Sequence, residues 1–522
     1  MAKAIYARGK AVVTFLTILF VLWLGVPIAG AQAPRTGGML RVAIIGEPAS
    51  LDNHFPVGVL AMAIGQHVFE GLFTMDKDYR PIPLLAESYS LADNGRRAVI
   101  KLRRGVLFHN GKEFISEDAV ASLKRLLKLE YHFRSFVAPN VVDIRGPDRY
   151  TVEILLKQPS SMLLPLLSIA SAQIYPKAVI DESPEERIKR FIGTGPFEFV
   201  EWRADRYIEL KRFEKYAGRQ EAPNGYGGKR SAYVDRIRFI PVPDASVRVA
   251  GVESGEYDVA EEIPPDFYSR VKGNASIQAM IMKPLSWPFI IFNKKEGLFV
   301  NKKLRQAVAA ALDMEPIMLA ACGGKEFYSL SPSIYQPEIK AWYTTAGKEF
   351  YNQKNPELAR NLMKEAGYTG QPIRWLTTKQ YDYMYNIGLT AKAQLEKVGF
   401  NIDLQVMEWS TVVTRRTKPD LWEIFVTGNS LSPEPPLYQA WLSSSWAGWW
   451  VDERRDALLA KFDIETDQAK RVAIWEDIQK LIWEEMPMIK LGDMNGLAIA
   501  GSKVKGLWPV YLMPYYNVWL EK

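Results

Sequence analysis

IRWLTTKQYDYMYNIGLTAKAQLEKVGFNIDLQVMEW, residues 373–409, decides how the second half of this chain folds. Ile373–Thr378 is short, apolar and β-branched, which reads as a strand. Leu389–Phe400 has helical spacing and ends at Gly399, a helix-stopping position. Asn401–Trp409 reads as a second strand, and Trp422–Gly428 as a third. Strand and helix alternate, which predicts βαβ units and a mainly parallel sheet. The third strand runs into FVTGNSLSPEPP, residues 425–436. That loop carries the uncharged hydrogen-bonding residues Asn429, Ser430 and Ser432, and is stiffened by Pro433, Pro435 and Pro436. Loops just past strand ends are where α/β proteins place ligands.

Outward from this stretch, more elements are legible. Asn301 caps an amphipathic helix over 301–313, and Pro356 and Gly367 bracket another over 355–368. A long helix is predicted over 469–485. The first half has more β character, with strands predicted over 39–45, 96–102, 148–156, 194–202, 207–213 and 234–244. Helices are predicted over 59–73, over 116–127 opening with Ser116, and over 245–254. The pattern predicts two α/β lobes, the first larger. The second starts near residues 285–295, and residues 487–500 return the chain to the first. Two crossings between lobes would form a hinge.

At 522 residues the chain needs at least two domains. Its formal charge of +7 is spread among mixed-sign residues, with no basic cluster of the kind that marks a nucleic-acid footprint. Lys3, Arg8 and Lys10 precede an apolar run from Ala11 to Leu24, followed by Pro27 and small residues up to Ala33. This is the pattern of a secretory signal peptide over 1–33, with Ala29-Gly30-Ala31 and Ala31-Gln32-Ala33 as cut sites. An uncleaved anchor is the alternative, but the run is shorter than the ~20 residues a span needs. No Cys lies near the cut, so a lipid anchor is not expected. Cys322 is the only cysteine, so no intrachain disulfide forms, and it reads as a structural thiol at a helix end closed by Gly323 and Gly324.

The search for chemistry is mostly negative. His54, His67, His109 and His132 have no metal-ligand spacing, so no metal or cofactor is expected. There is no G-x-S-x-G elbow and no P-loop. GTGPFEF, residues 193–199, starts like a dinucleotide loop, but Glu198 stands at the third glycine position. A secreted hydrolase using paired carboxylates remains as the rival class. Aromatic residues are 12% of the chain and include 15 Trp, of which Trp441, Trp446, Trp449 and Trp450 lie close together. Most such residues are core, but flat rigid rings also serve large ligand sites.

Several stretches together resemble one family. GGMLRVAIIGEPASLDNHF is similar to the mature N-terminus of family 5 solute-binding proteins of ABC importers. LLAESYSLADNGRRAVIKLRRGVLFHNGKEFISEDAVASLKRL resembles that family's signature segment. TGPFEFVEW, GEYDVAEEI, NKKLRQAVAAALD, ARNLMKEAGY and QLEKVGFNIDLQVMEW follow in family order. The resemblance implies an α/β, two-lobed periplasmic-binding-protein-like fold (class II, cluster C type), with an extra subdomain in the first lobe and a hinge. The implied limits are 34–75, 195–290 and 490–522 for the first lobe, 76–194 for the extra subdomain and 291–489 for the second lobe. It implies a monomeric periplasmic receptor, not an enzyme, that delivers its ligand to an inner-membrane permease driven by ATPase subunits. Nickel, haem, opines and oligosaccharides stay open as ligands beside peptides, and so does a sensory role.

The resemblance also implies a site. In peptide-binding members the strand end after residue 428 carries an Asp that pairs with the ligand's ammonium. Ser432 stands at that position here, with Asn429 where an aromatic residue often sits. Glu434 could take the Asp's place if the loop were shifted. Trp409 and Arg416 match ligand-facing positions, Arg416 being suited to a carboxylate, with a plain surface arginine as the alternative. Ser50 and Asn53 would belong to one wall and Tyr381 and Tyr383 to another, unless the two tyrosines only mark a strand face. Asn293 would lie at the hinge or touch ligand.

Overall fold

The computed structural model describes residues 33–56, 58–432, 434–437 and 442–521. The expected signal peptide, Pro433 and Trp441 lie outside the described residues.

One strand organises the molecule. Ile277–Phe292 is 16 residues long. Its first part pairs antiparallel with Asp493–Gly501, and the register shifts between Met282 and Ser286. Its last part, Ser286–Phe292, pairs antiparallel with Ile424–Ser430. On the Ile424–Ser430 side, Pro372–Thr377 and Asn401–Val406 follow, both joined in parallel. On the other side come Val259–Ala260, Met39–Ile44, Arg236–Pro241, Tyr207–Arg212 and Phe197–Arg203. A single strand thus serves both halves of the sheet, and its backbone crosses from one to the other without a loop.

A second sheet, ordered Ala86–Ala92, Arg97–Leu102, Thr151–Leu156, Val141–Asp148, is antiparallel throughout. Helix Ser116–Leu129 buries Ala119, Leu123 and Leu126 in the core of this unit. Ser116 is the first helical residue and not the cap, because its hydroxyl donates to Asp148 O at 2.6 Å. Asp118 instead reaches back to accept from Ile115 N at 3.1 Å.

Several element limits differ from the sequence reading. The helix expected over 389–400 starts at Asp382, because Met384, Ile387 and Gly388 continue its buried face. The strand expected to end at Trp409 stops at Val406. Glu408 caps a short helix, Trp409–Arg415, so Trp409 opens a helix and does not end a strand. Tyr381 and Tyr383 likewise sit at a helix start and not on a strand face. The helix expected over 59–73 ends at Gly65. At Gly71 a Cβ would meet Ala172 O and Phe73 O at 2.9 Å, so the chain there is pressed against backbone. Cys322 is buried at a helix end closed by Gly323 at φ 72.

The core of the first half contains a carboxyl with a measurable signature. Glu261 is buried and accepts a hydrogen bond from Tyr515 Oη. Burial outweighs that bond and pushes the carboxyl up to about 7. The folded state therefore holds a proton between roughly pH 4.5 and 7 that the unfolded chain has released. Stability falls as pH rises through this window. Glu261→Gln is expected to flatten the slope and to stabilise the protein at pH 8 by as much as about 3 kcal/mol. Urea melts of both proteins at pH 5 and 8 check this.

Candidate ligand-binding cleft

The loop after the first strand is built around a buried ion pair. Asp52 receives Arg125 Nη1 at 3.0 Å and Nη2 at 2.6 Å, both side chains being almost fully enclosed. Ile188 N and His54 N also donate to it, at 2.9 and 3.2 Å. Burial alone would raise the Asp52 carboxyl, but these bonds hold it below its ordinary value. Ser50 Oγ accepts from Asp52 N at 3.1 Å and is buried beneath the loop. Asn53 is presented above it, its N–H donating to Tyr175 Oη at 3.0 Å. His54 packs on Tyr175, and burial pushes its imidazole down to about 4, so it is neutral.

The opposite side comes from the end of Ile424–Ser430. Asn429 lies opposite Trp287 and Ser430 opposite Ser286 in the ladder. Ser430 lines the cavity together with Tyr511, on the C-terminal segment. Ser432 Oγ donates to Glu434 O at 3.4 Å. Glu434 is turned away from this surface. Its carboxylate is enclosed and meets Arg471 Nη2 at 2.5 Å, and the Arg471 guanidinium lies over Phe462 and Trp342 at 4.6 and 5.0 Å. A shifted loop that put Glu434 in place of the missing Asp is therefore not what forms.

Between these two sides lies a cavity of ≈ 500 Å³. That is the size of a small-molecule site. Asn53, Phe55, Met62, Phe69 and Phe73 line it on one side, and Asn429, Ser430, Leu431, Ser432 and Leu437 on the other. Glu130, Tyr131, His132, Ser168–Ser171 and Gln173 close it from the second sheet's unit, and Tyr226, Arg230 and Tyr511 from below. Most of the lining is apolar. Three buried amide atoms in lining residues have no hydrogen-bond partner among the described residues: Asn53 Oδ1, Gln173 Nε2 and Asn429 Nδ2.

The charges around the cavity are unequally satisfied. Glu70 accepts from Tyr216 Oη at 2.8 Å, Thr194 Oγ1 at 2.9 Å and Arg230 Nη1 at 3.3 Å. Arg230 spends its other nitrogens on Tyr226 O and lies over Tyr516. Glu130 is paired with neither a Lys nor an Arg among the described residues.

Of the residues singled out in the sequence, Asn53, Asn429, Ser430 and Ser432 line this cavity. Ser50 and Asn293 do not. Asn293 is buried, donating to Pro419 O at 2.6 Å and Trp422 O at 3.0 Å while accepting from Lys295 N at 3.1 Å. Those bonds tie the end of the crossing strand to the segment before Ile424–Ser430. Tyr381, Tyr383, Trp409 and Arg416 form a separate aromatic cluster. Tyr381 and Trp409 meet edge-on at 5.4 Å, and a Cβ at Gly428 would lie 2.9 Å from Tyr383 Oη. The Arg416 guanidinium lies over Trp446, Trp409 and Phe425 at 4.8, 5.6 and 5.7 Å, and no carboxylate pairs with it among the described residues. Glu130, Gln173, Arg230 and Tyr511 escaped the sequence reading, since no local spacing ties them to residues 50–55 or 425–436.

A two-sided sheet joined by a crossing strand, with a largely apolar cavity at the strand ends, defines a two-lobed solute-binding protein. The family model described as bacterial extracellular solute-binding proteins, family 5 Middle, matches residues 80–449, and the chain belongs to that family. It is 27% identical to a protein of Sinorhizobium fredii named a probable peptide ABC transporter periplasmic-binding protein, over 86% of this chain and 88% of that one. It is 24% identical to the glutathione-binding protein GsiB of Shigella dysenteriae, over 97% of each. In structure it is similar to the ABC transporter substrate-binding protein CtaP of Listeria monocytogenes, with a TM-score of 0.82, 21% identity and coverage of 94% and 100%. Members of this family bind solutes outside the cytoplasm and are not enzymes as a class.

Proposed function

We propose that this solute-binding protein captures a short peptide-like solute in the ≈ 500 Å³ cavity and delivers it to an inner-membrane ABC permease driven by ATPase subunits. The observation that carries the ligand class is the mixed lining, largely apolar but with the amide residues Asn53, Gln173 and Asn429 and the hydroxyl residues Ser430 and Ser432 set into it. Amide and hydroxyl groups among apolar side chains suit a peptide group, which offers an N–H and a carbonyl. The names of the two relatives, for a peptide and for glutathione, support the same class. In this reading residues 1–33 export the chain to the periplasm, where it acts as a monomer. The first lobe spans 34–75, 195–290 and 490–522, the inserted subdomain 76–194, and the second lobe 291–489, closing by hinge motion at Asn293 and the crossing strand.

The end of the solute that meets Ser432 is uncharged. Ser432→Asp tests this. A carboxylate there puts a charge into a largely apolar lining, so affinity for the native solute is expected to fall at least tenfold. Titration calorimetry of the mature protein with the best-binding short peptide reads the sign. A tighter complex would show an ammonium at the strand end and overturn this reading.

A further inference from the structure

Four side chains at the cavity carry or can carry a charge: Glu70, Arg230, Glu130 and His132. The first two neutralise each other inside a closed network, as described above. Glu130 sits just beyond helix Ser116–Leu129, in the unit of the second sheet. It is buried, and its Oε2 accepts from Phe133 N at 2.9 Å. Its Oε1 faces His132 Nδ1 at 3.0 Å, with Ser171 Oγ farther off at 3.4 Å. No Lys or Arg pairs with it among the described residues, and its one titratable partner, His132, is partly exposed at the same wall. Burial would raise this carboxyl, but the bonds from His132 and Phe133 leave it below its ordinary value, so it stays ionised. A poorly solvated anion beside an apolar cavity favours a cation in that cavity. Tyr131 lines the same wall, and an aromatic ring adds to the attraction for an ammonium or guanidinium group.

We propose that Glu130 is a specificity-determining residue that receives a cationic group of the solute, an ammonium or guanidinium, at the wall opposite the uncharged strand end of Asn429–Ser432. This rests on the reading of the cavity as the solute site and adds the solute's charge and its orientation. His132 competes with the solute for the carboxylate.

The test is calorimetry on the mature protein, with Glu130→Gln and His132→Ala. Three probes are used: acetyl-Ala-Lys-Ala-amide, its uncharged analogue acetyl-Ala-norleucine-Ala-amide, one atom shorter, and the small non-peptide cation spermidine. Gln keeps an oxygen for Phe133 N, and a thermal melt of each variant without probe confirms folding. The lysine peptide is expected to bind the wild type better than the norleucine peptide, and Glu130→Gln to erase that preference with a loss of at least about tenfold. His132→Ala is expected to tighten the lysine peptide several-fold, which a merely structural Glu130–His132 bond would not do. Equal binding of both peptides, unchanged in Glu130→Gln, overturns the proposal and leaves the peptide reading standing. Binding of spermidine alone, lost in Glu130→Gln, keeps the role of Glu130 and overturns the peptide reading. Failure of both cationic probes at millimolar concentration overturns the proposal.

Discussion

Arg125→Met is expected to lower the unfolding free energy by about 3–5 kcal/mol and to abolish solute binding. The guanidinium is enclosed and supplies two of the four hydrogen bonds to Asp52. Methionine fills much of the volume but leaves a buried carboxylate without its cation. Asp52 must then protonate or drag the loop outward, and either outcome moves Asn53 and Phe55, which line the cavity. Arg125 also lies over Phe55 and Tyr175, at 5.4 and 5.9 Å, so ring positions shift with it. Adding Asp52→Asn should restore a large part of the stability, because it removes the orphaned charge. Urea melts of the single and double variants read the coupling. The pH dependence carries a sign as well. The Asp52 carboxyl is held below its ordinary value, so its contribution is complete above the unfolded-state value near 3.8 and is lost as pH falls below it. The slope of stability against pH in acid should be shallower in Asp52→Asn. An Arg125→Met protein as stable as the wild type would contradict this account of the loop.

Arg471→Met should have a comparable effect on the other side of the cavity. Glu434 and Arg471 are enclosed together, and Arg471 is held between Trp342 and Phe462. Burial pushes the Glu434 carboxyl up, and the Arg471 guanidinium pulls it back down. Without the guanidinium it would take up a proton at neutral pH, or leave its pocket and carry the proline loop with it. A stability loss of about 3–5 kcal/mol is expected. Because Ser432 donates to Glu434 O and Leu437 N bonds the same carbonyl, at 3.4 and 3.1 Å, the two lining residues move with Glu434. Affinity should therefore drop at least tenfold even in the folded variant. Glu434→Gln with Arg471→Met should recover stability more than affinity, since the loop regains a neutral anchor but not its original position. Full affinity in Arg471→Met would separate the ion pair from the site.

Much of the frame was legible because it is local. Asn301 accepts from Lys303 N at the start of the helix it was expected to cap. Gly399 and Gly323 close helices in the left-handed region. The strand pair expected over 194–202 and 207–213 forms, as Phe197–Arg203 and Tyr207–Arg212. Limits failed where tertiary packing overrode spacing. The strand from Asn401 stops at Val406, with Met407 N to Thr377 O as the last bond of its parallel ladder, and the run through Trp409 carries no mark of that end. The strand Ile277–Phe292 escaped because Pro284 and Pro288 interrupt its pattern. Prolines fit there because the register breaks around Pro284.

The site divides in the same way. The strand-end loop announces itself by composition, and so does the turn at Asn53. Glu130 does not. It follows an amphipathic helix, where a carboxylate reads as solvent-facing, and only the fold brings it within one cavity with residues 300 positions away. Glu434 shows the converse error that linear proximity invites. It stands two residues from Ser432, yet its partner is Arg471, on the helix Gln468–Glu485.

The central claim, that the cavity between Asn53 and Ser432 holds the solute, is tested most directly by filling it. Ala170 lines the cavity and is only half-buried, so Ala170→Trp should occupy the space without disturbing the core. Thermal melts of the mature wild type and of this variant, with and without a panel of short peptides, form the measurement. A binding peptide at about a hundred times its Kd should stabilise the wild type by roughly 2.7 kcal/mol, a shift of several degrees or less. The same peptide should leave Ala170→Trp unmoved, while the two proteins melt alike without it. Equal stabilisation of both would place the solute elsewhere and contradict the account.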